Sequence, residues 1–261
     1  MATTQRAEKP RPQCLPFDAR NGLIEILAPD SCSTEVLRFS GQVLNYSRVS
    51  VPATFEQGQD VPLIICLHGY GSNSERFAHV GSWFAEAGML AVVPQAPYPV
   101  VLEGGTLGFD WTLLQVQDTV IQRQVAELMV YDYLQPLIVE MKKRFSVDDV
   151  HILGFSQGAV IALLAGIFDS DSYHGVLTFG LPAFERTWFP DSVLEYRSKI
   201  PIWMTHGEQD QRVGSRISWD AADTLSSYDY SVTRESFQGG HIIPDSMLQA
   251  AVDWIRATGQ Q

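Results

Sequence analysis

From about residue 60 onward, short apolar runs alternate with longer stretches whose hydrophobic residues recur at helical spacing. The runs Leu63–Leu67, Leu90–Val93, Val150–Leu153, Gly175–Phe179, Ile202–Thr205 and Ser231–Phe237 predict strands. Helical patterns cover about 75–87, 115–144, 157–168, 215–227 and 245–257. Unbroken apolar strands such as Leu63-Ile-Ile-Cys66-Leu67 imply burial on both faces, as in parallel sheets covered by helices. The alternation itself implies right-handed crossovers and an open α/β fold, with a mostly parallel central sheet and helices on both faces. Upstream, about 36–40 and 43–51 are rich in β-branched and aromatic residues and predict antiparallel strands. The polar start of the chain carries Pro10, Pro12 and Pro16 and predicts a flexible tail over residues 1–20. Residues 21–261 show neither an internal repeat nor a shift of composition, so one domain is expected there.

Composition narrows the classes. The chain is 45% hydrophobic and 18% charged, which suits a large core, and no run approaches the ~20 apolar residues of a membrane span. The first residues have no apolar stretch of the kind that marks secretion, so a cytoplasmic location is expected. A net charge of −12 repels polyphosphate backbones, and no nucleic-acid partner is expected. The three cysteines, Cys14, Cys32 and Cys66, are odd in number and form no C-x-x-C pair. They support neither a disulfide framework nor a zinc site, and Cys66 reads as a small buried hydrophobe. No metal-ligand spacing or phosphate-cradling loop is present, so no metal and no cofactor is expected.

Reactive residue types cluster where the predicted strands end. His151-Ile-Leu-Gly154-Phe-Ser156-Gln157-Gly158 is a strand running into G-x-S-x-G, followed by the helix-forming Ala159-Val-Ile-Ala-Leu-Leu-Ala165. That context fits a nucleophile elbow, a sharp turn that lifts a serine hydroxyl clear of the sheet edge. Side chains at Gly154 or Gly158 would collide with neighbouring backbone in so tight a turn. The plain alternative is an ordinary turn with a capping serine. His68-Gly-Tyr70-Gly, His206-Gly-Glu-Gln-Asp210 and Gly239-Gly-His241 follow three other strands, and ligands in open α/β sheets bind beyond such strand ends.

A serine hydroxyl needs a base, and a base needs an orienting acid. Of six histidines, only His241 combines a strand end, flanking glycines and a position after both Ser156 and Asp210. Taken alone, Asp210 reads better as a turn or capping aspartate ahead of the helix near 215, and His241 as a loop histidine next to Pro244; Glu208 is a weaker rival to Asp210. His68 and His206 read as loop braces. The backbone N–H groups of Gln157 and Tyr70 are placed to serve as oxyanion donors, since one follows the serine and the other lies on a glycine-flanked loop after an early strand.

These residues resemble the phospholipase/carboxylesterase family of α/β-hydrolases, which includes the acyl-protein thioesterases. The resemblance spans about residues 60–257. It rests on Leu67-His-Gly-Tyr-Gly-Ser72, Pro94-Gln-Ala-Pro97, Gly108-Phe-Asp-Trp111, Gly154-Phe-Ser-Gln-Gly158, His206-Gly-Glu-Gln-Asp210 with Val213, and Gly240-His-Ile-Ile-Pro244. It implies a triad of Ser156, Asp210 and His241, oxyanion donors Tyr70 and Gln157, and cofactor-free hydrolysis of carboxylic esters or thioesters. The extended N-terminal region and the segment Tyr98–Gly108 depart from the family pattern.

Phe109, Trp111, Phe184 and Trp188 lie between core elements and are expected to line an acyl pocket, although loop aromatics also serve as packing. Leu181–Pro190 is too short for a large lid, which favours small to medium-chain acyl esters as substrates. An acyl-protein thioesterase, a lysophospholipase-like hydrolase and a non-catalytic ligand-binding module on the same scaffold remain as alternatives. Whether the chain forms a homodimer is left open by the sequence.

Overall fold

A computed structural model describes residues 45–114 and 118–259. The predicted strand at 36–40 and the tail over 1–20 lie outside these residues. Beyond them, the alternation read from the sequence is present. The strands are β1 (Ser47–Ser50), β2 (Val61–Leu67), β3 (Leu90–Pro94), β4 (Tyr98–Val101), β5 (Leu107–Asp110), β6 (Val147–Phe155), β7 (Gly175–Phe179), β8 (Ile202–Gly207) and β9 (Val232–Phe237). The helices are α1 (Ala78–Glu86), α2 (Thr119–Leu128), α3 (Gln135–Arg144), α4 (Gln157–Phe168), α5 (Asp191–Tyr196), α6 (Ser215–Ser227) and α7 (Asp245–Thr258).

Seven strands form one sheet in the order β1-β3-β2-β6-β7-β8-β9. Only β1 runs antiparallel; the other neighbours are parallel. This is the α/β-hydrolase architecture, with a mostly parallel sheet between helical layers. Strand alternation divides the core in two. Leu63, Ile65 and Leu67 of β2 pack into the layer that holds α4, whereas Ile64 and Cys66 face Val80 and Phe84 of α1 and Leu248 and Val252 of α7. Burial pushes the Cys66 thiol pKa upward, in keeping with an inert core side chain. All residues of α4 are buried, which is why its sequence is apolar on every side.

Three elements differ from the sequence reading. The helical stretch expected over 115–144 is divided by a π-helical turn at Met129–Leu134. The segment Tyr98–Asp110 contains a two-stranded hairpin, β4 paired with β5. The short helix α5 follows Pro190, where the preset proline φ suits a helix start. No described helix is long and apolar enough to cross a membrane.

Candidate active site

Register brings the strand ends level. Leu67 pairs with Gly154, Gly154 with Thr178, Phe179 with Thr205, and Gly207 with Phe237. The loops beginning at His68, Ser156, Gly180, Glu208 and Gln238 therefore open on one rim of the sheet. Ser156 stands there with φ 54° and ψ −121°, a left-handed backbone that serine seldom adopts. Such a conformation costs about 1–3 kcal/mol and persists only where the surroundings enforce it. They do so here. Ser156 N–H donates to Phe179 O at 2.8 Å, and Ala159 N–H to Ser156 O at 2.8 Å. A Cβ on Gly154 would lie 2.1 Å from Gly158 O, and one on Gly158 would lie 2.4 Å from Leu67 O. The Ser156 hydroxyl makes no cap bond to α4, so the side chain is not spent as a helix cap.

Asp210 and His241 meet across the loops after β8 and β9. Gln209 N–H donates to Gly239 O at 2.9 Å and ties the loops together. Asp210 Oδ2 accepts from His241 Nδ1 at 2.6 Å, while Oδ1 accepts from the backbone N–H groups of Arg212 and Val213, each at 2.9 Å. Burial alone would raise the Asp210 pKa. The bonds from Val213, His241 and Arg212 outweigh it and hold the carboxyl below its ordinary range. The His241 ring lies 4.7 Å from the ring of Phe155, next to Ser156, and rests over Gly180. Glu208 instead accepts from Ser236 Oγ at 2.8 Å and from Gln238.

The loop carrying Tyr70 is braced from two sides. His68 is fully buried; its Nε2 accepts from Ala96 N–H at 3.2 Å, so Nδ1 donates to Gly69 O at 2.9 Å. Burial lowers the His68 pKa to about 4, with the Gly69 bond opposing, and this keeps the ring neutral. On the other side, Gly71 N–H donates to Phe109 O at 2.9 Å and Phe109 N–H to Ser72 O at 3.0 Å. The β4–β5 hairpin thus pins the loop. Gln157 is held in turn: its Nε2 donates to Asp110 Oδ1 at 2.5 Å and Thr112 Oγ1 at 2.9 Å, and its Oε1 accepts from Trp111 N–H at 3.2 Å.

Two cavities open at Ser156. One, of about 420 Å³, is lined by Tyr70, Leu114, Gln157, Val160, Pro182 and Trp188. The other, of about 550 Å³, contains Tyr70, His241, Arg76, Arg212 and Ile242. Of the four aromatics expected to line an acyl pocket, Trp188 alone lines a cavity that reaches Ser156. Trp111 is 0% exposed because it faces the core, with Nε1–H donating to His68 O at 2.8 Å and its ring 5.1 Å from the His68 ring. Phe109 packs on the core and works through its backbone. Phe184 stacks on Phe189 at 4.6 Å and lines a separate cavity with Ile217 and Thr224. Sequence reasoning missed Gly180, Arg76 and Arg212. Gly180 carried a signal, being a glycine directly after a strand end; the arginines carried none.

Residues 51–259 match the model of the phospholipase/carboxylesterase family. The chain is 25% identical to an acyl-protein thioesterase 1 of Gibberella zeae over 205 residues, covering 72% of this chain and 87% of that one. It is 25% identical to an acyl-protein thioesterase 1 of Neurospora crassa, covering 74% and 84% of the two chains. Among solved structures, esterase PE8 superposes with a TM-score of 0.68 at 24% identity, over 83% of this chain and 100% of that one. Zea mays acyl-protein thioesterase 2 superposes with a TM-score of 0.62 at 20% identity, over 82% and 99%, and like the former shows the fold. The chain belongs to the phospholipase/carboxylesterase family of α/β-hydrolases and is an ester-hydrolysing serine hydrolase.

Proposed function

We propose that the protein is a carboxylesterase for small to medium-chain acyl esters, with Ser156 as nucleophile, His241 as base and Asp210 as its orienting acid. The observation that carries this reading is the 2.6 Å Asp210–His241 bond beside a serine held at positive φ on the same rim. The bond to Asp210 fixes the hydrogen on His241 Nδ1 and leaves Nε2 for the cleft. There Nε2 takes the Ser156 proton as Oγ adds to the ester carbonyl. The carbonyl oxygen becomes an oxyanion between the N–H groups of Tyr70 and Gln157, where α4 also points its positive end. Protonated His241 delivers the proton to the departing oxygen and the acyl-enzyme forms. Water then repeats the sequence and releases the acid.

The cavity lined by Leu114, Val160, Pro182 and Trp188 fits an acyl chain. Thioesters enter the same chemistry with sulfur as the leaving atom, and the curated relatives are named for that activity. Labelling with a fluorophosphonate followed by peptide mass mapping tests the nucleophile. The adduct is expected on Ser156 and absent from Ser156→Ala; labelling at another serine would refute the assignment.

A further inference from the structure

The two cavities that meet at Ser156 differ in charge. Among the described residues, the one lined by Val160 and Trp188 has Glu185 as its only charged side chain, whereas the other is lined by Arg76, His79 and Arg212 and no carboxylate. The chain has 30 acidic residues against 18 basic ones, and most of its other described arginines reflect that excess. Arg48, Arg123, Arg144, Arg186, Arg216 and Arg234 each hold a carboxylate. Among the described residues, Arg76, Arg197, Arg212 and Arg256 hold none, and of these Arg76 and Arg212 are exposed and line the cleft. Two open guanidinium groups in one cavity make a local positive field on a strongly negative protein.

Position gives this field a role. His241 lines the arginine-bearing cavity and not the apolar one. In the proposed relay His241 protonates the leaving atom, so the leaving group lies on the His241 side of Ser156 and the acyl chain lies opposite. We propose that the leaving alcohol or thiol carries an anionic group, a carboxylate or a phosphate, which Arg76 and Arg212 bind. Guanidinium forks match both groups bidentately. The inference rests on the serine-hydrolase relay and names the substrate class for it.

The test compares hexanoyl esters of meta-hydroxybenzoate, meta-hydroxyphenyl phosphate and meta-hydroxybenzamide, which share an acyl group and a phenolic leaving oxygen. The readout is the ratio of kcat/KM for each anionic ester to that for the neutral amide, so a general change in activity cancels. A ratio of about ten- to hundredfold is expected, the range of one or two charge-assisted hydrogen bonds. It should fall with added salt and approach one in the Arg76→Gln/Arg212→Gln protein. A wild-type ratio near one, or a ratio that survives both substitutions, overturns the inference. Whichever anion gives the higher ratio identifies the group preferred. Ser156-dependent hydrolysis of the neutral ester reports separately on the relay. If no ester turns over, calorimetric titration of Ser156→Ala protein with meta-hydroxyphenyl phosphate and with meta-hydroxybenzoate decides. Binding of either that is lost with both arginines supports the site, and absence of binding by both overturns it.

Discussion

A second imidazole stands against the Asp210 carboxylate: His206 Nε2 lies 3.2 Å from Asp210 Oδ2, and both side chains are buried. The same Nε2 lies 2.9 Å from Val213 O. It carries its hydrogen and donates to Val213 O, while Nδ1 accepts from Ser218 Oγ at 2.7 Å. His206 therefore ties down the turn from Asp210 to Val213, whose Arg212 and Val213 N–H groups hold the carboxylate. Removing the donor without losing the ring, in His206→Phe, leaves Val213 O one partner short and loosens the turn that holds the carboxylate, at a cost of about 1–2 kcal/mol. A fall in kcat of about tenfold with little change in KM is expected, and His206→Gln, which keeps an N–H donor, should recover much of it. Equal kcat in the Phe variant would show that His206 does not support the carboxylate.

Gly180 sits under the His241 ring. Its φ is +60°, and a Cβ there would lie 3.1 Å from both Cε1 and Nδ1 of His241. Gly180→Ala should strain the backbone by about 1–2 kcal/mol and push the imidazole away from its place over β7. Kinetics and denaturant melts measured together separate the two effects. The expected outcome is a loss of kcat of tenfold or more alongside that modest loss of stability. A variant with wild-type kcat would show that the ring tolerates displacement.

Acid stability depends on buried histidines, one of them remote from the rim. His151 is 1% exposed in the middle of β6, and neither ring nitrogen has a hydrogen-bond partner among the described residues. Burial, with a smaller contribution from the nearby His174, lowers its pKa to about 4. The unfolded chain protonates this histidine near pH ~6.5, so as pH falls from there toward about 4 the unfolded state gains protons that the folded state refuses. Stability is complete above pH ~6.5 and declines through that window, by about 3 kcal/mol for this group. His151→Leu should match or exceed wild-type stability at neutral pH and lose less of it between pH ~6.5 and ~4. Urea melts at several pH values measure this. Parallel curves for the two proteins would contradict it.

The sheet was legible because its strands are buried on both faces, and an unbroken apolar run as short as Leu63–Leu67 suits a central strand far better than a helix. The serine elbow was equally legible, since Gly154 and Gly158 are required by backbone approaches of 2.1 and 2.4 Å that any longer side chain would block. The β4–β5 hairpin was not, because two four-residue strands around Gly104 and Gly105 present too short an alternation to detect. Trp111 shows a different limit. A loop tryptophan next to a polar segment suggests a pocket wall, but whether it turns inward depended on a carbonyl, that of His68, made available by a distant loop. The arginines beside the cleft were invisible for a similar reason: the partners of a charged side chain are set by tertiary neighbours.

Hydrolysis of p-nitrophenyl esters from acetate to palmitate, by wild type and by Ser156→Ala, tests the central assignment most directly. Turnover by wild type is expected, with an optimum at small to medium chain length, the range suited to the Val160–Trp188 cavity. In the variant kcat should fall by about 10³ or more, with the fold retained by circular dichroism. Equal turnover by the two proteins would contradict the assignment of Ser156, and with it the relay built on Asp210 and His241.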